Sequence, residues 1–387
     1  MDKSPVSTKR ILLSGPISQN QVTGLTLAFQ LLVKELESRN YKLRIVNTIQ
    51  NNRVSKSGNF SILRSIETLY VIFLVIVKLN VVETYYATMS TSKFGFVRDL
   101  LTVSMAKLLR KKVILHLHGG GFEEFYQNSS KVLKCLIRFN LKNTDKIIVL
   151  GELLKEQFYC VGPFVKKKLV VVPNGLTLGV VEPESHVKSF KKGESIRLLY
   201  LSSLMPSKGY VEVIRALEEL NEKDTSKQYH LDLCGSFVDA ITEESSELSN
   251  EQELLEYIQV NGLSECIHYH GLVTGRQKEN LLEKAHIFLL PTYYPWEGQP
   301  LSIIEAMAYG TPVISCQHKG IPEMLEDGTN GFFVKPQNAR DIADKCLKLC
   351  SEVSFYESLS MNARKKYEKQ FTRSVHLENL ISEILTV

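Results

Sequence analysis

Short apolar runs and amphipathic runs take turns along almost all of this 387-residue chain, and that alternation limits the fold more than any single residue does. Arg10-Ile11-Leu12-Leu13-Ser14-Gly15 reads as a first strand. Residues 23–39 follow with apolar positions at Leu25, Ala28, Leu32 and Leu36, the spacing of a helix. Strand-like runs return at 41–48, 81–88, 112–117, 146–150 and 169–172, with helical runs at 61–79 and 96–109. Residues 182–195 are polar and punctuated, and the linker is placed at 186–195. The pattern then restarts, with strands at 196–201, 230–234, 267–270, 287–290 and 312–315 and helices between them. Residues 339–351 and 354–387 read as helical. Repeated β-α-β order predicts an α/β fold: mostly parallel sheets, helices on both faces, one domain over 1–185 and another over 196–365. Ligands of open α/β sheets bind beyond the carboxyl ends of the strands, so two such halves are expected to face each other across one cleft.

Composition excludes several alternatives. The chain is 44% hydrophobic and 23% charged, ordinary for a globular protein and unlike a disordered or fibrous one. The greasiest stretch, Leu69 to Val77, is cut by Lys78 and Asn80 and is too short to span a bilayer, so it is expected to be a buried helix or strand. The first residues show no apolar core of a signal peptide. Seven cysteines, none in a Cys-x-x-Cys pair, point to a reducing cytosol without disulfides or structural zinc, and Cys346 and Cys350 are expected to be buried on one helix face. Charge is uneven. Residues 1–195 hold 29 Lys and Arg against 14 Asp and Glu, whereas the remainder holds 18 against 28. This is unlike a uniform nucleic-acid binder. It fits a first half that meets an anionic membrane surface or phosphorylated lipid, and equally two domains that attract each other.

The segment from Pro291 to Ser315 reads strand end, loop, helix, Gly310 stop, strand. Glu297 stands in the loop and Glu305 about one turn inside the helix. Between them the free N–H groups of Leu301, Ser302 and Ile303 form the positive end of a helix, a site for an anion. Carboxylates flanking such a cradle accept hydrogen bonds from vicinal diols, so the order suggests sugar, phosphate, ribose. Spacing alone is equally met by one helix-capping Glu and one surface Glu.

With its sequel Glu305-Ala-Met-Ala-x-Gly-x-Pro-Val-Ile, this Glu-x7-Glu segment resembles the retaining nucleotide-sugar glycosyltransferases of family 4, which have the GT-B fold. Ser202-Ser203-Leu204-Met205-Pro206-Ser207-Lys208-Gly209 resembles that family's Gly-Arg-Leu-x-x-x-Lys-Gly segment. Gly320-Ile321-Pro322-Glu323…Asp327-Gly328-Thr329-Asn330-Gly331 and Pro173-Asn174-Gly175 also have counterparts. The resemblance implies that Glu305 holds ribose hydroxyls, that Glu297 holds the donor sugar, and that the backbone of Gly298, Gln299, Leu301 and Ser302 contacts sugar and phosphate. It places Lys208 on the leaving diphosphate, Val273 beside the base, His118 over the reacting sugar and Gly24 near the diphosphate. It further implies no metal and no cofactor, a nucleotide diphosphate sugar as donor, a saccharide or lipid-linked saccharide as acceptor, and residues 366–387 as a helix returning to the first domain.

Three departures stand out. Ser203 replaces the family's arginine, Pro300 replaces a frequent glycine and removes one N–H, and Thr23-Gly24 replaces a glycine pair. Two rival readings fail on missing residues. His118-Gly119-Gly120-Gly121 looks like a hydrolase oxyanion loop, but no Gly-x-Ser-x-Gly elbow accompanies it. The loop from Gly15 to Gly24 lacks the Gly-x-Gly-x-x-Gly of a dinucleotide-binding enzyme. The expectation is therefore a cytoplasmic, possible peripheral-membrane hexosyltransferase of cell-surface polysaccharide synthesis. A nucleotide-sugar epimerase, a glycosyl phosphorylase and an inactive nucleotide-sugar-binding module stay open.

Overall fold

The computed structural model describes residues 9–18, 23–49, 62–177, 187–191, 193–224, 228–238 and 248–387, without the side chains of 62–64. They fall into two compact units, Met1–Leu178 with Arg373–Val387, and Gly179–Thr372.

Unit 1 runs β1 (Arg10–Gly15), α1 (Gly24–Ser38), β2 (Lys42–Asn47), α2 (Ile62–Leu79), β3 (Thr84–Thr88), α3 (Lys93–Leu108), β4 (Lys112–His116), α4 (Phe122–Gln127), α5 (Lys131–Lys142), β5 (Lys146–Val149) and β6 (Leu169–Val171). Among the described residues these strands form one six-stranded sheet in the order β2-β1-β3-β4-β5-β6, parallel throughout. Side chains alternate across a strand, so each strand feeds two cores. Ile11, Leu13, Tyr86, Ile114 and Ile148 meet α1 and the C-terminal helix on one face. Leu12, Tyr85, Val113, Leu115 and Ile147 meet α2, α3 and α5 on the other.

Unit 2 runs β7 (Ile196–Leu201), α6 (Tyr210–Lys223), β8 (Tyr229–Cys234), α7 (Glu251–Val260), β9 (Ile267–Gly271), α8 (Gly275–Lys284), β10 (Ile287–Leu290), α9 (Leu301–Ala308), β11 (Val313–Cys316), β12 (Gly331–Val334), α10 (Ala339–Leu349) and α11 (Val353–Gln370). Its parallel sheet has the order β12-β11-β10-β7-β8-β9. The chain moves outward from β7 in one direction to β9, then crosses back to β10 and moves the other way. The order therefore reverses between β7 and β10, and loops leaving those two carboxyl ends must part around a crevice. Cys346 and Cys350 are buried on α10 and just after it.

Four expectations need correction. The helix expected over 366–387 starts later, because α11 runs on to Gln370 and α12 (Arg373–Leu385) follows in unit 1. The stretch Leu69–Val77 is helical but only half buried: Val71, Ile72 and Val75 face the core, while Leu69, Tyr70, Phe73 and Val77 are exposed. Residues 187–191, read as linker, are packed into unit 2. Lys188 Nζ donates to the carbonyls of Leu282 and Ala285, each at 2.6 Å, and to Thr311 Oγ1 at 2.8 Å. Burial lowers its ammonium to about 7, and Phe190 lies edge-on to Tyr356. Residues 182–186 and 192 of that stretch lie outside the described residues. Finally, α4, α5 and β12 have no counterpart in the sequence reading.

Candidate functional site

The two loops at the reversal of strand order in unit 2 are stitched together. The N–H of Tyr293 and the hydroxyl of Thr292, both just after β10, donate to the carbonyl of Ser207 in the loop after β7. Gly209 closes that loop with φ +78°, and a Cβ there would lie 2.7 Å from the Pro291 carbonyl oxygen, so only glycine admits the approach. This stitching brings Lys208 to Glu297 across 89 residues of sequence: Nζ donates to Oε2 at 2.6 Å. The single hydroxyl proton of Thr292 is shared between that Ser207 carbonyl and the same Glu297 oxygen, 3.1 Å from Oγ1. Lys208 also lies 4.5 Å from the centre of the Tyr294 ring, a cation–π contact. Lys208 and Glu297 are both mostly buried. An ammonium has three donors, so two remain after Glu297 is served.

Gly298, Gln299 and Pro300 follow in a buried run and lead into α9. Its N-cap is Pro300, and no side chain caps the helix. The sequence had offered three free N–H groups here. The structure removes one, because Ile303 N–H donates to the Pro300 carbonyl at 3.2 Å. Leu301 and Ser302 keep the positive end of the helix.

Glu305 is buried on α9, and Lys278 from α8 donates to its Oε1 at 2.6 Å. Desolvation raises the Glu305 carboxyl, and the Lys278 charge and hydrogen bond work against that rise. The two carboxyl groups are therefore paired with two different lysines. Val273 is buried in the turn between β9 and α8. Ser203 is exposed, and its carbonyl accepts from the Tyr200 hydroxyl at 3.1 Å.

Unit 1 holds His118 at the carboxyl end of β4. The glycine-rich loop after it is fixed by Gln157, whose side chain accepts from Phe122 N–H and donates to the Gly119 carbonyl. His118 stacks on His116 with ring centres 3.8 Å apart. The buried phenol of Tyr86, whose acidity burial suppresses, lies in hydrogen-bond contact with His116 Nδ1 at 2.6 Å. The third imidazole, His376 of α12, lies 2.6 Å from the Pro173 carbonyl through Nδ1. Burial, reinforced by His376, lowers His118 to about 3. Burial lowers His116 well below its usual value, with His118 and His376 adding to the effect. Neutral rings are the result. Gly24, expected in a loop, is instead the first residue of α1 behind the capping box of Thr23 and Thr26. Among the described residues no three His, Cys, Asp or Glu side chains gather as metal ligands would.

With this geometry in hand, comparison with known proteins gives one consistent result. Residues 181–366 match the family Glycosyl transferases group 1. That match covers just under half of the chain. The amylovoran biosynthesis glycosyltransferase AmsK of Erwinia amylovora is 27% identical over 211 residues, 53% of this chain and 48% of that one. The alignments thus span about half the length of the first curated relatives. The uncharacterized glycosyltransferase MJ1178 of Methanocaldococcus jannaschii is 22% identical over 356 residues, 91% of each chain. Among solved structures, Anabaena HepE in complex with UDP matches with a TM-score of 0.70 at 15% identity, over 98% of this chain and all of that one. The fold is GT-B, two parallel six-stranded α/β units as in HepE and the sucrose-phosphate synthase of Thermosynechococcus elongatus.

Of the residues singled out by sequence, the domain brings Lys208, Glu297, Gly298 and Gln299 together at the strand-order reversal, next to Leu301 and Ser302. Thr292, Tyr294 and Lys278 were missed. Thr292 and Tyr294 lie within the motif, but nothing in their spacing marks them as partners of Glu297 and Lys208. Lys278 is 27 residues from Glu305, and no spacing rule connects them.

Proposed function

We propose that the chain is a retaining glycosyltransferase that moves a hexose from a nucleotide diphosphate sugar to a hydroxyl of a lipid-linked saccharide during polysaccharide synthesis at the cytoplasmic face of a membrane. The meeting of Lys208 and Glu297 beside the uncapped start of α9 carries this reading. A diphosphate leaving group gains negative charge as the glycosidic bond breaks. A fixed ammonium and two helix N–H groups stabilise that charge where it forms. Glu297 pre-positions Lys208 before the donor arrives, and the two remaining N–H groups of the ammonium then take phosphate oxygens. Glu297 keeps acceptor capacity for a sugar hydroxyl, and Glu305, paired with Lys278, accepts from the ribose. Val273 borders the base. His118, Gly24 and Ser203 are assigned to the same reaction by their motif positions. The departing phosphate oxygen takes the acceptor proton on the face it leaves, so the new bond forms with retention.

Two further facts support the reading. AmsK and the putative colanic acid glycosyltransferase WcaL of Escherichia coli, relatives at 27% and 28% identity, are named for polysaccharide synthesis. HepE, which shares the fold, was crystallised with UDP-glucose, so UDP-glucose is the first donor to test. A ligand at a hundred times its Kd stabilises by about 2.7 kcal/mol, which a thermal-shift screen of nucleotide sugars detects. With the stabilising donor, Glu297→Gln is expected to lower kcat on the order of a hundredfold with nucleotide binding retained. Unchanged turnover overturns the role of Glu297. Binding without transfer across an acceptor panel marks an inactive module, and nucleotide release without an acceptor marks another GT-B chemistry.

A further inference from the structure

The helix layer formed by α2, α3 and α5 covers one face of the unit 1 sheet, and its outward side is apolar. On α2, Ile66, Leu69, Tyr70, Phe73 and Val77 are each more than half exposed. Their spacing of three and four residues puts them on one side of the helix, opposite the buried Val71 and Val75. An α-helix that is apolar all round is normally enclosed in a core or in lipid. Here the sheet accounts for only one side. The neighbouring α3 continues the surface with Phe94, Val97, Leu101 and Leu108, the last 75% exposed. On α5, Val132 and Phe139 are exposed as well. Scattered exposed apolar residues need no explanation, but a stripe shared by adjacent helices does.

Charge identifies what covers it. The three helices contain nine Lys and Arg against two acids, Glu67 and Asp99. Asp99 is neutralised by Arg98 at 2.7 Å. Lys93 on α3 and Lys131, Arg138 and Lys142 on α5 are exposed on the same helix layer. A second protein surface would have to supply matching acids at fixed points. An anionic bilayer supplies them everywhere, with acyl chains beneath for the apolar side chains. Among the described residues no helix is long and apolar enough to cross a membrane, so this geometry is that of a surface laid on the bilayer.

We propose that the α2–α3–α5 layer of unit 1 docks on an anionic lipid surface, with the Ile66–Val77 stripe seated at the acyl boundary and Lys93, Lys131, Arg138 and Lys142 on the head groups. The proposal deepens the lipid-linked acceptor of the function above, since such an acceptor reaches the enzyme only at that surface. Vesicle binding is read without donor or turnover, so either reading can fail alone.

The test is co-sedimentation of the full chain with phosphatidylcholine vesicles and with equal mixtures of phosphatidylcholine and phosphatidylglycerol. Binding is expected to the mixed vesicles and at least tenfold weaker to the neutral ones. Raising salt from 0.1 to 0.5 M shortens the screening length and is expected to weaken binding. Each basic side chain near such a surface contributes about fivefold, so Lys93→Gln with Lys131→Gln is expected to cost more than tenfold. Leu69→Ser with Phe73→Ser is expected to cost at least tenfold as well. Both altered pairs are exposed, so thermal unfolding is expected to stay near that of the parent and reports any folding defect. No binding to the mixed vesicles, equal binding to both kinds, or unaltered binding by a folded Leu69→Ser/Phe73→Ser variant each overturns the proposal. A concentration-dependent dimer that this variant abolishes, without vesicle binding, assigns the surface to a second copy of the chain instead.

Discussion

Replacing Lys278 with methionine isolates the electrostatics around Glu305. The substitution keeps side-chain length and removes the ammonium that donates to Oε1 at 2.6 Å. Glu305 is only 4% exposed, so water does not replace the lost partner. Removing one member of a buried pair costs about 3–5 kcal/mol when the other must remain charged. A carboxyl has an escape, because it can take up a proton. Starting from its usual 4.5, that escape costs about 1.36 kcal/mol for every pH unit above it, hence about 3 kcal/mol at pH 7 and less than about 1 kcal/mol at pH 5. The sign follows from the direction of the shift. Burial already raises Glu305 in the fold, and losing Lys278 raises it further. The folded variant then holds a proton that the unfolded chain has released, so its stability is greatest below pH 4.5 and falls as pH rises through the raised value. For a unit of this size 1 kcal/mol corresponds to about 2–4 °C. Thermal unfolding from pH 5 to pH 8 is expected to show a deficit of under about 4 °C at pH 5 that widens to roughly 6–12 °C at pH 7. Adding Glu305→Gln is expected to remove the pH dependence. A deficit that stays constant across this range refutes the account of Glu305 as a buried carboxyl whose rise Lys278 restrains.

Other perturbations test the loops and the histidines. At Gly235, φ is +149° and a Cβ would lie 1.8 Å from the Ser202 carbonyl oxygen. Gly235→Ala is therefore expected to cost about 3 kcal/mol or more and to disturb the loop that carries Lys208; a melting temperature within 2 °C of the parent contradicts this. His118 is held neutral in the fold, lowered to about 3, yet binds a proton near its ordinary 6.5 once unfolded. It therefore withdraws up to about 1.36 kcal/mol for each pH unit below 6.5 until pH nears its folded value. His118→Asn is expected to flatten the fall in melting temperature between pH 6.5 and pH 4.5, and parallel curves refute it.

The candidate site was partly legible because its motif is local. Glu297, Leu301, Ser302 and Glu305 sit within nine residues of one another, and a loop entering a helix has the same backbone donors in any surroundings. Pro300 was recognised as a lost donor, but the further loss at Ile303 was not, since a tightened first turn leaves no sequence mark. The histidines of unit 1 show the opposite case. His118 was marked by its glycine-rich setting just past a strand, whereas His376 arrives from α12 and lowers both His116 and His118 from more than 250 residues away.

Periodicity in the sequence determined the alternation of strands and helices, the parallel sheets and most element boundaries, because a repeat of two or 3.6 records which local positions share a face. Residue identity determined the chemistry on offer: two carboxylates, a lysine and an open helix end. Tertiary structure alone decided which lysine meets which carboxylate. Lys208 reaches Glu297 because β7 and β10 are neighbours where the strand order reverses, and strand order is a property of the whole sheet. It also decided the fate of α2. The uniformly apolar stretch Leu69–Val77 carries no signal of which side the sheet will cover, and only packing left Leu69 and Phe73 facing outward.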